Sequence, residues 1–326
     1  MVLTNGREPI INPTARILGL NLNGSRTLIV YGDLNGLVYE SMQVSTPLNK
    51  AFLPAFDEIM SAADRLISRT QAQHLPNPQV ISLAVCGDLD VERGVLVSAP
   101  DMPDWQSVPL KGRLSMHYNL PVFVEQEANA GALAEFYFGA GQNHRSIVFI
   151  SMEPTIRTGI LSDGTVYRSP GGYAGNLGEV VLAEYGPAGY GLPGSLNGFC
   201  SSLGMVELAH LRFPHNWAAD LDISKLVAFA LNGDQDAQTV FNEAGDWLGK
   251  ALGPLVRILH PEAIIPGYPG CILDNLLLAP ARLALESSTN LPAERMPQLL
   301  PARLGTRLAE ITALAPVISR FRAKSG

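Results

Sequence analysis

Cysteine, clustered charge and long apolar runs are all scarce in this chain of 326 residues. The three cysteines, Cys86, Cys200 and Cys271, are odd in number and far apart, which excludes a disulfide framework and a paired-thiolate metal site. They read as buried or incidental thiols. Charged residues make up only 16% of the sequence, its lysines and arginines are scattered singly, and the net charge is −7. Nucleic-acid binding by counterion release needs clustered cations, so an extended DNA surface on this chain is excluded, and any DNA contact must come from a domain that is not part of it. No apolar run is long enough to span a bilayer, and the opening Met1 to Pro9 lacks the basic start and continuous apolar stretch of a signal peptide. The expected compartment is the cytoplasm, with no membrane partner.

What is present is ample core material. At 47% hydrophobic the chain can bury a large interior, and its length suggests two lobes. A repeat supports that division. Ile17–Val30, continuing through Asp33-Leu34-Asn35-Gly36 to Tyr39, recurs in outline as Ile147–Ile160, continuing through Asp163-Gly164 to Tyr167. Each copy reads as a strand, a small polar turn, a second strand and a reversal into a third. Residues 1–16 read as a lead-in or linker. Phe52, Phe56, Ile59, Met60, Ala63, Leu66 and Ile67 fall at helical spacing, and strands are expected at 80–85, at the start of 95–105 before it runs into a proline-rich loop, and at 121–125, the last entering a helix over 128–138. Glycine and proline crowd the stretch from Gly171 to Gly204, which predicts an irregular loop region of the kind that carries sites. Apolar positions from Phe241 to Leu259 predict a long buried helix, followed by a strand at 263–265 and a turn over 267–270. Strands alternating with helices favour an α/β fold with mixed sheets.

Six segments, in one order, resemble the ROK family, which groups bacterial sugar kinases with sugar-responsive transcriptional repressors. They are Ile17–Gly36, Ala99–Trp105, Glu125–Glu135, Gly172–Glu179, Cys200–Glu207 and Leu259–Ile265. The resemblance implies an α/β, actin-like (ribonuclease H-like) duplicated fold with two lobes around a cleft. These lobes would be residues 17–128 and 129–326, the final helix being a candidate to pack back on the N-terminal lobe.

The departures are as informative as the matches. Kinases that look like this begin with Asp-Ile-Gly-Gly-Thr-Lys at a first phosphate turn; here the run is Asn21-Leu22-Asn23-Gly24-Ser25-Arg26, without the carboxylate and with one glycine fewer. Their second turn, Gly-Thr-Gly-Ile-Gly, is replaced by Glu153-Pro154-Thr155-Ile156-Arg157. Pro154 removes a donor, and Glu153 beside a phosphate would oppose it by about 4 kcal/mol at 4 Å in an intermediate dielectric. Arg157 could supply a compensating cation. Gly24, Ser25, Arg26, Arg157 and Gly267 are therefore a degenerate nucleotide-site set, with Tyr268 standing where the family keeps a glycine. The family's catalytic base falls at Glu127, preceded by Gln126; this carboxylate is one methylene longer, and a displacement of about 1 Å can reduce a rate on the order of a hundredfold. Glu127 is a poor base but a reasonable sugar acceptor, with a helix N-terminal carboxylate as the alternative reading. The candidate sugar contacts are Asp101, Gln126, Glu127, Asn176, Glu179 and Glu207. The family's zinc ligands map to Glu179, Gly198, Cys200 and Met205, a set unable to form a tetrahedral thiolate site, so no structural zinc is expected.

Three functions follow from the resemblance. The first is a non-catalytic effector domain of a regulator of carbohydrate metabolism, binding a sugar or sugar phosphate, homodimeric, without a cofactor and without its own helix-turn-helix, since only about 16 residues precede the first strand. The second is an ATP-dependent hexose or N-acetylamino sugar kinase using Mg-ATP and Glu127. The third is a dimeric scaffold that binds no sugar.

Overall fold

In a computed structural model, residues 12–24, 26–46 and 51–325 are described, and packing divides the chain into two units. The first holds residues up to Ala134, Pro170–Gly172 and the stretch from Thr306 onward; the second holds Glu135–Ser169 and Tyr173–Gly305.

In the first unit, strands β1 (Arg16–Asn23), β2 (Arg26–Asp33) and β3 (Val38–Ser45) form an antiparallel meander. Helix α1 (Phe52–Ala72) follows, burying Phe56, Ile59, Met60, Ala63 and Leu66, the stripe that its helical spacing predicts. Next come β4 (Val80–Val85), the short hairpin β5 (Asp88–Asp90) and β6 (Val95–Ser98), helix α2 (Leu110–Tyr118), β7 (Val122–Gln126) and helix α3 (Glu127–Phe138). The main sheet runs β3-β2-β1-β4-β7, with β4 parallel to β1 and β7 parallel to β4. Every residue of β4 is buried, as a central parallel strand covered on both faces requires.

The second unit repeats the plan. Strands β8 (Ile147–Ser151), β9 (Arg157–Ser162) and β10 (Thr165–Val166) form the antiparallel part. Helices α4 (Leu196–Cys200), α5 (Ser202–Arg212), α6 (Ile223–Leu231) and α7 (Gln235–Leu259) follow, then β11 (Ala263–Pro266), α8 (Ala279–Thr289) and β12 (Gln298–Leu299). The sheet order, β10-β9-β8-β11-β12, matches the first unit strand for strand, again with three antiparallel members and two parallel ones. Side-chain oxygens of Ser195, Ser201, Asp222 and Asp234 cap α4 to α7 in turn by accepting from backbone N–H groups of their first turns. The core of this unit gathers Val148, Ile150, Phe199, Phe241, Leu248, Leu252 and Ile264.

The last helix, α9 (Leu308–Ser325), belongs to the first unit, where it covers β1, β2 and β4 with Ile311, Leu314, Val317 and Ile318 buried. Its backbone comes so close to β1 that a Cβ added at Gly19 would lie 2.9 Å from the carbonyl oxygen of Ala313. Glycine at 19 is what permits this packing. Among the described residues, no helix is long and apolar enough to cross a membrane.

Candidate functional site

Gln126 and Glu127 lie at the carboxyl ends of the first unit's parallel strands, where open α/β sheets hold ligands. Val85 at the end of β4 is in register with Gln126 at the end of β7, and Glu127 is the first residue of α3. Gln126 is 4% exposed, and its Nε2 donates to the carbonyl of Gly87 at 3.4 Å. Glu127 is 9% exposed and sits where the helix dipole favours a carboxylate. Two neighbours absent from the sequence-based list complete this end. Glu125 is buried and accepts from Asn129 Nδ2 at 3.0 Å and from the Gln126 N–H at 3.1 Å, while Asp88 accepts from Ser98 Oγ at 2.7 Å. Asp101, also buried, lies three residues beyond Ser98.

At the first turn, Asn23 pairs with Arg26 across a two-residue reversal in which Gly24 takes a φ of 57°. Ser25 lies outside the described residues, as does the lead-in through residue 11. Arg26 is exposed at the start of β2. Asn21 is buried and donates from Nδ2 to the carbonyl of Ala309 in the first turn of α9, at 3.3 Å. A neutral amide that supports a helix thus stands where the resemblance implies a metal-holding carboxylate.

In the second unit, the turn between β8 and β9 has a cis Glu153–Pro154 peptide and leaves Thr155, Ile156 and Arg157 buried. Its backbone is tied inward. The Ile156 N–H donates to Asn197 Oδ1 at 2.7 Å, the Ile156 carbonyl accepts from the Gly178 N–H at 3.2 Å, and the Met152 carbonyl accepts from the Ser202 N–H at 3.0 Å. Pro154 has no N–H to offer.

The glycine-rich stretch after β10 is irregular but well hydrogen-bonded. Asn176 accepts from the Glu179 N–H through its carbonyl, and the exposed Glu179 accepts from Asn197 Nδ2 at 3.2 Å. Glu207, on α5, uses Oε2 to accept from the N–H groups of Ala188 and Gly189 at 3.0 and 2.8 Å, so its carboxylate pins that loop. Gly267 follows β11 and donates to the Ile150 carbonyl at 2.9 Å, and Tyr268 packs against the second core.

The positions matching zinc ligands are committed elsewhere. Cys200 is fully buried, burial pushes its thiol well up, and Sγ donates to the Ala244 carbonyl at 3.1 Å. Met205 is core, and a Cβ at Gly198 would fall 1.8 Å from the Pro187 carbonyl oxygen. Among the described residues, no group of three or more His, Cys, Asp or Glu is arranged to hold a metal ion.

In the second unit, sequence reasoning missed Asn197. It immediately precedes the Gly198–Glu207 motif, but only the fold brings it under both Ile156 and Glu179.

Comparison with known proteins places this geometry in context. The chain is 26% identical to the DNA-binding transcriptional repressor Mlc of Escherichia coli (strain K12), over 77% of this chain and 63% of the repressor, so it spans less than two thirds of that relative's length. It is 26% identical to a glucokinase of Thermotoga maritima over 83% of this chain and 87% of that enzyme. Among solved structures, a ROK family glucokinase from Streptomyces griseus in complex with glucose and AMPPNP superposes with a TM-score of 0.81 at 24% identity, over 93% of this chain and 99% of that one, which shows a shared fold of the actin-like type. The residue pattern of the ROK family matches residues 17–313, and the chain belongs to the ROK family.

Proposed function

We propose that this chain is a non-catalytic sugar-binding domain of a transcriptional regulator of carbohydrate metabolism, which takes up a sugar effector and does not transfer phosphate. One observation carries the reading: in the second turn the Ile156 N–H is held inward by Asn197 and Pro154 has no N–H. A phosphate cradle depends on free backbone amides, whereas a sugar needs only convergent polar side chains. Within the first unit, buried Gln126 and Glu127 at the strand ends and buried Asp101 are acceptors of that kind; within the second unit, Asn176, Glu179 and Glu207 are the candidate polar groups. Asn21 in place of a carboxylate points the same way, because a neutral amide is a weak ligand for a nucleotide-bound divalent cation. The relatives supply precedent for both roles, one named a DNA-binding repressor and others glucokinases. In this reading operator contact belongs to a separate domain, and the working form is a cytoplasmic homodimer.

The test is a thermal-shift screen against hexoses, N-acetylated amino sugars and their 6-phosphates, with and without Mg-ATP. A sugar at about 100 times its Kd should stabilise the fold by about 2.7 kcal/mol, while Mg-ATP alone should leave it unmoved. Sugar-dependent ADP release that disappears in Glu127→Ala would overturn the proposal in favour of a kinase. Silence toward every sugar would leave a scaffold.

A further inference from the structure

Asn197 is a fully buried amide whose two functional atoms are both engaged. Its orientation is unambiguous, because the Ile156 N–H can only donate and the Glu179 carboxylate can only accept. The bond to Ile156 is 2.7 Å and the bond to Glu179 is 3.2 Å. The surroundings are shaped to seat it. A Cβ at Gly178 would fall 2.3 Å from Asn197 Oδ1, and one at Gly191 would fall 3.0 Å from the Asn197 Cβ. Its own carbonyl accepts from the N–H and Oγ of Ser201, at 3.2 and 2.6 Å, which fixes the backbone that carries it. One residue therefore joins three segments of the second unit, its side chain holding the turn at 153–157 and the stretch around Glu179 and its carbonyl holding the start of α5. Of its two polar partners, Glu179 is the exposed one.

We infer that Asn197 is a positioning residue that couples Glu179 to the β8–β9 turn, so that capture of a sugar hydroxyl by Glu179 is felt at Ile156. That Glu179 meets the effector rests on the function proposed above; the coupling through Asn197 does not. The physical basis is short. An amide polarised by an acceptor at Nδ2 is a better acceptor at Oδ1, and the Oδ1 bond lies in a buried site where water does not replace it. When Glu179 turns toward a ligand, Nδ2 loses its partner and the bond at Oδ1 weakens or reorients. The turn then gains freedom at the point where β9 begins.

The experiment needs no ligand, so its outcome is independent of whether any sugar binds. Amide hydrogen exchange at Ile156 is followed in the full chain, in Glu179→Ala and in Glu179→Gln, with α1 of the first unit as the internal reference. Glu179 is exposed, so both variants should fold. Glu179→Ala should speed exchange at Ile156 by about fivefold, the factor expected for loss of one modest hydrogen bond. Glu179→Gln, whose side-chain oxygen still accepts from Asn197, should stay within about twofold of the parent. Unchanged exchange in Glu179→Ala would overturn the coupling. Equal acceleration in both variants would overturn it too, since charge and not the hydrogen bond would then govern the turn.

Discussion

Gly198 shows at the scale of one residue why a lost metal motif is not a reversible change. A cysteine there would need a Cβ where the Pro187 carbonyl oxygen already sits, 1.8 Å away. Even Gly198→Ala should lower stability by about 3 kcal/mol, read as a lower urea midpoint at unchanged slope. The thiols offer a pH-dependent test. Burial is the chief cause pushing Cys271 up to about 11, with Glu135 and Glu153 adding and a backbone hydrogen bond opposing. In the unfolded chain a thiol ionises near 8.5, so between about pH 8.5 and 11 the unfolded state loses a proton that the folded state retains. Cys271 therefore has no effect on the pH dependence below that window, and stability falls as pH rises through it. Urea midpoints measured from pH 8 to 10.5 should decline less steeply in Cys271→Ala than in the parent. Sequence reading named candidate polar residues but not their commitments. Glu207 and Glu179 look alike in sequence as candidate sugar contacts, yet one holds two loop amides and the other is exposed. Such bonds join residues far apart in the chain, and local pattern carries no trace of them.

Elements were more legible than contacts wherever periodicity was strong. The helical stripe from Phe52 to Ile67 became α1, the run at 80–85 became β4, and the helix foreseen from Phe241 begins six residues earlier, at Gln235. That earlier start has a local cause: Asp234 accepts from the Ala237 N–H at 2.9 Å and caps the helix before its apolar stripe is established. Asp234→Ala should destabilise the second unit by about 1 kcal/mol and fray the first turn of α7, seen as a lowered thermal midpoint with faster exchange near Ala237. The stretch between Gly171 and Gly204 was foreseen as irregular, and it is, apart from the five-residue α4 and brief turns of helix. Helices α5 and α8 went unread because their apolar residues are interrupted by glycine, proline and charge; packing against α7 holds both.

The whole molecule repeats one sheet order twice, and the sequence repeat at Ile17 and Ile147 announced it. What no repeat announces is that the last helix returns to the first unit, where it fills the face of β1, β2 and β4. Deleting Thr306–Gly326 should therefore unfold the first unit and spare the second. Trp105, 1% exposed and alone among the three tryptophans in lying within the first unit, reports it. In a Trp217→Phe/Trp247→Phe background the deletion should shift emission to the red. Emission that stays blue would mean that α9 is dispensable.

The same return sets the order of events during synthesis. A ribosome releases β1 well before α9, so the sheet made first lacks this cover until the intervening second unit has been made. Its apolar face, with Gly19 and Gly32 closely approached by Ala313 and Leu314 of α9, stays without that helix while residues 46–307 are made. The second unit, built from one nearly continuous stretch, is under no such delay. The second unit should thus complete its fold before the first, and a chaperone that shields the early sheet would act on it until α9 is released.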